Sequence, residues 1–246
     1  MNRIIIKSRF LPAAFLVLSA AVFAVAQQTS GAKQNSRPAQ PTLTASASSK
    51  KLAEAKPAKY SYEFTQPQFN VRHIVIEHDQ RGGGWITFEH LNEEAPSKEP
   101  LELSTACAER ILGLWQSLRF LDSVENYQSA RQFPHLGTMR LKMEQDSQKR
   151  TAEFNWTNNK NASALVNEYR RVADQAILVS DLATARENQP LNSPKLMEQL
   201  ENMLRRNSLS DPQQLVPLLK EITTDEHLPL ITRNHAMRLL KQIEKK

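Results

Sequence analysis

STACAERILGLWQSLRFLDSV, residues 104–124, has the hydrophobic pattern that says most about the fold. At 100° per residue, its larger apolar side chains fall within a stripe roughly 120° wide, typical of a helix that faces a protein core. That stripe contains Cys107, Ile111, Leu114, Trp115, Leu118 and Leu121. A second stripe on the opposite side contains Ala106, Gly113, Ser117, Phe120 and Val124. The pattern predicts a helix capped by Ser104 or Thr105 and covered on both sides.

Gly113 lies inside this predicted helix, where a glycine costs roughly 1 kcal/mol relative to alanine. We therefore expect another helix to approach closely at Gly113. The predicted neighbours are helices near the C-terminus, which would pack on Ala106 and Phe120. Two β-hairpins would cover the opposite face of the helix.

The first β-hairpin is predicted ahead of this helix. Alternating aromatic and polar residues over 60–65 predict a half-buried strand, and segments 71–78 and 85–90 predict two more strands. The connection 79–84 ends in three consecutive glycines. Because these glycines open a strand and not a helix, they indicate a turn instead of a phosphate-binding loop.

The inward-facing residues of the first hairpin predict its register. The expected cross-strand pairs are Ile74 with Phe88, Ile76 with Ile86 and His73 with Glu89. In that register His90 lies on the other face from His73, and His78 lies at the far end of the hairpin. His135, His227 and His235 show no metal-binding spacing. The histidines do not converge, so no metal ligand is predicted.

A second hairpin and a long helix follow. Residues 138–143 and 152–156 alternate in polarity around a turn at 144–149, and both hairpins are polar on one face. Such a sheet is antiparallel with helices on one side only. The next helix is predicted over about 162–186, capped by Asn158 or Asn161. The predicted class is α+β, a two-layer ββαββα-like unit of two hairpins and two helices over residues 60–189.

Residues 190–246 predict a small all-α C-terminal subdomain. Ser193-Pro194 and Asp211-Pro212 each place a capping residue before proline, which is typical of a helix start. A last helix over about 229–244 presents Ile231, Leu239, Leu240 and Ile243 to the core. Segments 215–222 and 231–240 resemble one HEAT-type helical hairpin.

Residues 1–26 predict a signal peptide. Arg3, Lys7 and Arg9 precede an apolar run. The run ends in Ala24-Val25-Ala26, the small-x-small pattern that a signal peptidase recognises, so cleavage is expected between Ala26 and Gln27. The alternative is an uncleaved membrane anchor. No later segment is apolar enough to span a bilayer. Together with the signal peptide, this predicts an exported protein, periplasmic or extracellular.

Residues 27–59 predict a disordered basic linker, because they contain no aromatic residue and few aliphatic ones. The chain carries a formal net charge of +6. The leader carries +3 and this linker carries +5, which leaves a net charge of −2 for residues 60–246. The basicity belongs to the leader and the linker. Nucleic acid is therefore not expected as a partner.

Catalytic motifs are missing from the sequence. Cys107 is the one cysteine, so no intramolecular disulfide forms, and its place in the apolar stripe favours a buried inert thiol. No GxSxG motif occurs, and the Ser48-x-x-Lys51 match lies in the linker. No catalytic residue and no cofactor are predicted.

Two functions are compatible with these observations. The first is a non-catalytic envelope protein that binds or scaffolds another envelope protein or a wall polymer through its polar sheet face or its C-terminal helices. The candidate residues of that face are His73, Glu77, Thr87, Glu89, Arg140, Lys142, Glu153 and Asn155. The alternative is an unrecognised hydrolase with a cleft between the α+β unit and the C-terminal helices.

Three short segments carry a resemblance to other proteins. They are Phe120-Leu121-Asp122-Ser123, Phe154-Asn155-Trp156-Thr157 and Arg186-Glu187-Asn188-Gln189-Pro190-Leu191. With the leader and linker, this layout resembles a group of uncharacterised exported bacterial proteins with a two-layer α+β domain and a HEAT-like helical hairpin. The element order is also similar to that of β-lactamase-inhibitor-type domains, which present a bare sheet to partners. The resemblance implies the fold and export, and assigns no functional residue.

Overall fold

The computed structural model describes residues 57–245, all of which belong to one compact unit. Its strands are β1 (Lys59–Thr65), β2 (Val71–Asp79), β3 (Gly83–His90), β4 (Ser97–Glu102), β5 (Thr138–Gln145) and β6 (Gln148–Phe154). They form one antiparallel sheet in the order β4-β3-β2-β1-β5-β6. The predicted signal peptide and all but the last three residues of the predicted linker lie outside the described residues.

The helices complete an α+β fold with a helical C-terminal part, as predicted. They are α1 (Thr105–Leu118), α2 (Lys160–Asn188), α3 (Ser193–Arg205), α4 (Val216–Thr224) and α5 (Leu230–Ile243). Short 3-10 turns occupy Pro134–Leu136, Pro190–Asn192 and Pro212–Leu215. Within residues 57–245, no helix combines the length and the apolar character needed to cross a bilayer.

The sheet follows the predicted alternation. In β1, Tyr60, Tyr62 and Phe64 point into the core, and this strand pairs with β2 on one side and β5 on the other. The predicted register is confirmed, with Ile74 opposite Phe88, Ile76 opposite Ile86 and His73 opposite Glu89. Order begins slightly earlier than predicted, because Ala58 is already fully buried.

The edge strand β4 lies in a segment for which the sequence pattern predicted no strand, only a polar loop that contains Pro96 and Pro100. Pro100 sits inside it, opposite Trp85, which an edge strand tolerates because one side of its backbone is unpaired. Leu101 is its single buried residue. The neighbouring turn is shorter than predicted, since Gly83 and Gly84 belong to β3. A Cβ on Gly84 would lie 1.9 Å from the carbonyl oxygen of Glu77.

Helix α1 buries one face only, so the predicted second stripe is wrong. A Cβ placed on Gly113 meets no heavy atom within 4 Å, and Val124 is 99% exposed. The helix ends at Arg119, whose left-handed backbone (φ 44°) turns the chain back. Phe120 is thereby buried beside Trp115, with ring centroids 4.8 Å apart, and does not face the C-terminal helices.

Helix α2 joins two hydrophobic clusters. The first, between sheet and helices, ends at Ile177; the second, among the C-terminal helices, begins at Leu178. The sequence predicts an apolar stripe on this helix that consists of Leu165, Tyr169, Val172, Ala173, Ala176, Val179 and Ala183. Its first four residues are buried as predicted, but further on Leu182 is buried in place of Ala183. The cap is Asn159, which accepts from the backbone N–H groups of residues 161 and 162, and not Asn158 or Asn161.

Two predicted helix starts have different outcomes. Asp211 does cap the turn at Pro212, since its carboxylate accepts from the Gln213 backbone N–H at 3.0 Å. Ser193 is not a cap: it lies inside α3, and its hydroxyl is 2.8 Å from that of Thr232. Because the two hydroxyl groups hydrogen-bond to each other, Thr232 can be buried in the core. Ile231, the residue before it, was predicted to face the core but is 66% exposed.

Candidate functional site

The sheet face that points away from α1 and α2 carries a continuous series of ion pairs. On β3, Glu89 accepts from Arg72 at 3.1 Å and lies 3.3 Å from Nδ1 of His73. The other ring nitrogen of His73 lies 3.1 Å from Glu63. These contacts, chiefly the one with His73, hold the pKa of the Glu89 carboxyl below its usual range.

The series continues across the sheet through Arg140. Its guanidinium donates to Glu63 at 2.7 Å and to Glu153 at 2.8 Å. Further along the same face, Lys142 lies 2.8 Å from Glu144, and hydrogen bonding by this and one other lysine lowers the pKa of Glu144 to about 2. Most charges of this face are therefore matched by a neighbour of opposite sign.

The strand registers place most residues of the predicted partner face on this surface. They are His73, Glu77, Thr87, Glu89, Arg140, Lys142 and Glu153. Asn155 lies beyond the end of β6, and its Oδ1 accepts from Gln128 at 3.2 Å and from the Phe133 backbone N–H at 3.0 Å. It therefore holds a loop in place. Trp85 is 49% exposed on this face, with the Lys98 ammonium 4.9 Å from its ring centroid.

An open groove of about 1370 Å³ lies on the opposite side of the sheet, bordered by α2, α3 and the loop after β1. It sits where the polypeptide leaves β1 and enters β2 and β5. Its floor is apolar and consists of Phe64, Ile74, Met139 and Phe154. Since these side chains pack into the main core, the floor is a rigid surface.

Two aromatic side chains line this groove and remain half exposed. Phe69 is 43% exposed, and Trp156 is 45% exposed. The loop that carries Phe69 is anchored by the buried Gln66, whose amide donates to the backbone oxygens of Pro134 and His135 at 3.2 and 2.8 Å. The aromatic surface is thus presented by an ordered segment.

Helix α2 supplies charged groups to one wall. Arg170 donates to the sulfur of Met139 at 3.1 Å and reaches toward the Phe64 ring. Asp174, one turn further on, is exposed to the groove. The surrounding protein limits its hydration, which raises the pKa of the Asp174 carboxyl although Arg170 opposes the rise.

Asp181 lies two turns further along α2 and also lines the groove. Its carboxylate is 3.5 Å from Nε2 of His90. Desolvation raises the pKa of Asp181, and the His90 ring opposes this effect. Carboxyl groups held above their usual pKa in a cleft are typical of functional sites, although structural pairs show the same effect.

Tyr62 lies at the deep end of the groove. Its side chain is 1% exposed and stacks on Tyr169 with centroids 5.0 Å apart. No group in residues 57–245 meets good hydrogen-bonding geometry with its hydroxyl. Burial raises the pKa of Tyr62 to about 12, and the charge of the nearby Arg170 and a contact of its guanidinium with the hydroxyl oppose the rise. The hydroxyl is fully enclosed by protein, so it belongs to the core and not to the accessible surface of the groove.

No metal centre is formed in the described range: residues 57–245 contain no group of three or more His, Cys, Asp or Glu side chains placed to hold an ion. No protein-family model and no curated protein matches this chain. The function must therefore be argued from the groove and the sheet face alone.

The groove was not foreseen as a set of residues. Tyr62, Phe64 and Trp156 fit the alternation of their strands and were interpreted as core. Asp174 lies inside the predicted helix over about 162–186, and Asp181 begins a dense polar helix end, residues 181–190, that predicts a capping and domain-junction network, with a ligand site as the minor alternative. Two signals in the sequence do point here: an aromatic residue, Phe69, in a polar loop, and carboxylates next to the apolar stripe of α2.

Proposed function

We propose that this protein is a non-catalytic binding protein of the cell envelope, exported by its leader, that holds a ligand in the groove between the sheet, α2 and α3. The observation that carries the proposal is the combination of an apolar floor and the half-exposed rings of Phe69 and Trp156 beside it. Export is supported by the leader pattern and by the resemblance to exported bacterial proteins.

The groove is a better binding surface than the polar sheet face. On that face Arg140, Glu63 and Glu153 already neutralise one another, so covering them would remove water without providing new partners. In the groove, covering an aromatic side chain removes apolar surface from water, a gain of about 1.5–3 kcal/mol for a full side chain.

A hydrolase remains the second candidate because Asp174 and Asp181 both line the groove with raised pKa values. Glycoside hydrolases use such a pair of carboxyl groups, one on each side of the bond that is cleaved. Here both belong to one helix face, about 10 Å apart along its axis by the 1.5 Å rise per residue. They stand side by side on one wall, which favours binding over hydrolysis.

The three tryptophans allow a direct test. Trp156 reports on the groove, Trp85 reports on the polar sheet face, and Trp115 is buried and silent to quenchers. The Trp85→Phe variant leaves Trp156 as the accessible tryptophan, and the Trp156→Phe variant leaves Trp85. Quenching of the fluorescence of each variant by acrylamide is measured with and without envelope material from the producing cells. We expect the envelope material to protect Trp156 and to leave Trp85 accessible.

Other outcomes have clear meanings. Protection of Trp85 alone would place the binding surface on the polar sheet face, and protection of neither ring would contradict the binding function. Export is tested separately by the intact mass of the protein recovered from the envelope fraction. A chain that begins at Gln27 supports cleavage of the leader, whereas a chain that begins at Met1 supports the anchor.

A further inference from the structure

We propose that the ligand of the groove is an uncharged glycan chain. This inference rests on the proposed function, because it names the class of ligand that the same groove holds. It is argued from the charge balance of the walls, the amide groups they carry, the exposed rings and the size of the groove.

The walls of the groove carry no net charge. Three carboxylates line it (Asp174, Asp181 and Glu198), and so do three permanent cations (Arg170, Lys195 and Arg206). A groove that binds a polyanion carries an excess of cations, and one that binds a polycation carries an excess of acids. The balance found here matches a ligand without charge.

Primary amides are the most frequent polar side chains of the lining. They are Gln68, Asn70, Asn155, Asn167, Gln199 and Asn202. The side-chain oxygens of Asn155 and Asn202 already accept hydrogen bonds from protein donors. The side-chain amides of three others form no hydrogen bond with any group in residues 57–245, namely Asn70, Asn167 and Gln199. An amide offers a donor and an acceptor together. Sugar hydroxyls also both donate and accept, so the two chemistries are complementary.

The exposed rings extend this match. The C–H faces of a pyranose carry a weak positive potential and pack on the negative face of an aromatic ring, a surface that Phe69 and Trp156 provide.

The size of the groove favours a chain over a single small molecule. Its volume of about 1370 Å³ exceeds the roughly 300–1,000 Å³ of pockets for small ligands, and it is open to solvent. A peptide that adds a strand requires a sheet edge with unpaired backbone groups. Strands β1, β2 and β5 under the groove are paired on both sides. The edge strand β6 contributes only its last residue, Phe154, to the lining, so its unpaired edge lies largely outside the groove.

The test uses the full exported chain carrying Trp85→Phe, so that Trp156 alone reports. The probe is envelope polymer from the producing cells, extracted with hot detergent, digested exhaustively with protease and passed over anion- and cation-exchange resins. These steps remove lipid, protein and the peptide-bearing or otherwise charged polymers, and leave uncharged glycan. We expect this stripped polymer to protect Trp156 from acrylamide as well as untreated envelope does. Protection should be equal at 50 and 500 mM salt, because screening weakens only charged contacts.

Each alternative result overturns a defined part of the argument. If protease treatment abolishes protection, the ligand is a protein, and the binding function stands without the glycan. If only high salt abolishes it, the polymer is charged and the uncharged ligand is wrong. If untreated envelope also fails to protect Trp156, the proposed function falls as well.

A pair of matched amide variants tests the groove itself. Asn167→Ala removes an exposed, unpaired amide from the groove wall, whereas Gln116→Ala removes an exposed amide on α1, outside the groove lining. Binding to the stripped polymer is expected to weaken about tenfold in the first variant, the equivalent of one good hydrogen bond, and to stay unchanged in the second. Equal affinities would contradict the proposal.

Discussion

The hydroxyl of Tyr169 lies 2.8 Å from Nε2 of His78, and the two groups are buried together. Nδ1 of the same ring is 2.7 Å from the carbonyl oxygen of Asp79, which can only accept, so Nδ1 carries the hydrogen. Nε2 therefore accepts from Tyr169, whose oxygen accepts in turn from the indole N–H of Trp115 at 2.9 Å. The network requires a neutral imidazole.

This network predicts how stability depends on pH. Burial lowers the pKa of His78 below its ordinary value, so below about pH 6.5 the unfolded chain binds a proton that the folded chain does not. The free energy of unfolding should therefore fall as the pH drops from 7.5 to 5. His78→Gln should show a flatter pH dependence in urea unfolding. His135→Gln, at an exposed side chain that makes no hydrogen bond or ion pair within residues 57–245, is the control and should retain the wild-type slope. Equal slopes in all three proteins would contradict the assignment.

The two stacked tyrosines predict opposite responses to loss of their hydroxyls. Tyr169→Phe leaves both His78 and Trp115 without their partner, and should cost about 2 kcal/mol of unfolding free energy. Tyr62→Phe removes a hydroxyl that makes no hydrogen bond, so stability should change by less than about 0.5 kcal/mol or increase. Urea unfolding at pH 7.5 measures both. A large loss in Tyr62→Phe would show that its hydroxyl is paired in the free protein.

Two glycines likewise predict opposite effects of the same substitution. Gly84→Ala drives a methyl group into the Glu77 carbonyl and should destabilise by about 3 kcal/mol, because the sheet backbone must shift. Gly113→Ala adds a methyl group in open space on an exposed helix position and should stabilise by about 1 kcal/mol. Thermal unfolding of both variants checks the pair. Destabilisation by Gly113→Ala would indicate a neighbour on that side of α1.

Removal of the negative charge of the Asp174 carboxylate is expected to stabilise the protein. A folded-state pKa raised by desolvation means that the folded chain holds its proton more tightly than the unfolded chain, so the charged carboxylate lowers stability at pH 7. Asp174→Asn should raise the unfolding midpoint at pH 7, and the gain should shrink as the pH falls toward about 4. Asp122→Asn, at an exposed position, is the control. A loss of stability would mean that attraction by Arg170 outweighs desolvation.

Elements with a strong local period were predictable from the sequence. Tyr60, Tyr62 and Phe64 alternate because one sheet face is buried, and the same rule set the register of Ile74 against Phe88. Strand β4 escaped prediction because Pro100 and its charged neighbours suit only an edge, a property of the finished sheet. The cap of α2 was misplaced by one or two residues among the neighbouring asparagines 158, 159 and 161, which are chemically equivalent in the sequence.

A cleft between the α+β unit and the C-terminal helices was one of the alternatives offered by the sequence, but the residues that line the groove could not be predicted, because the lining depends on distances between distant segments. Tyr62, Trp156 and Asn202 are far apart in the sequence, and they line one groove only once the strands have paired and α3 packs beside α2. The second stripe of α1 failed for a related reason. The left-handed turn at Arg119 sends Phe120 back into the core, and helical periodicity does not represent such a turn.

Helix α2 runs without interruption through both hydrophobic clusters, and this makes the two halves of the protein dependent on each other. A chain that stopped at Gln189 would leave Leu178, Leu182 and Ala185 facing water on a helix that still belongs to the sheet. The C-terminal helices therefore cannot be exchanged as an independent module.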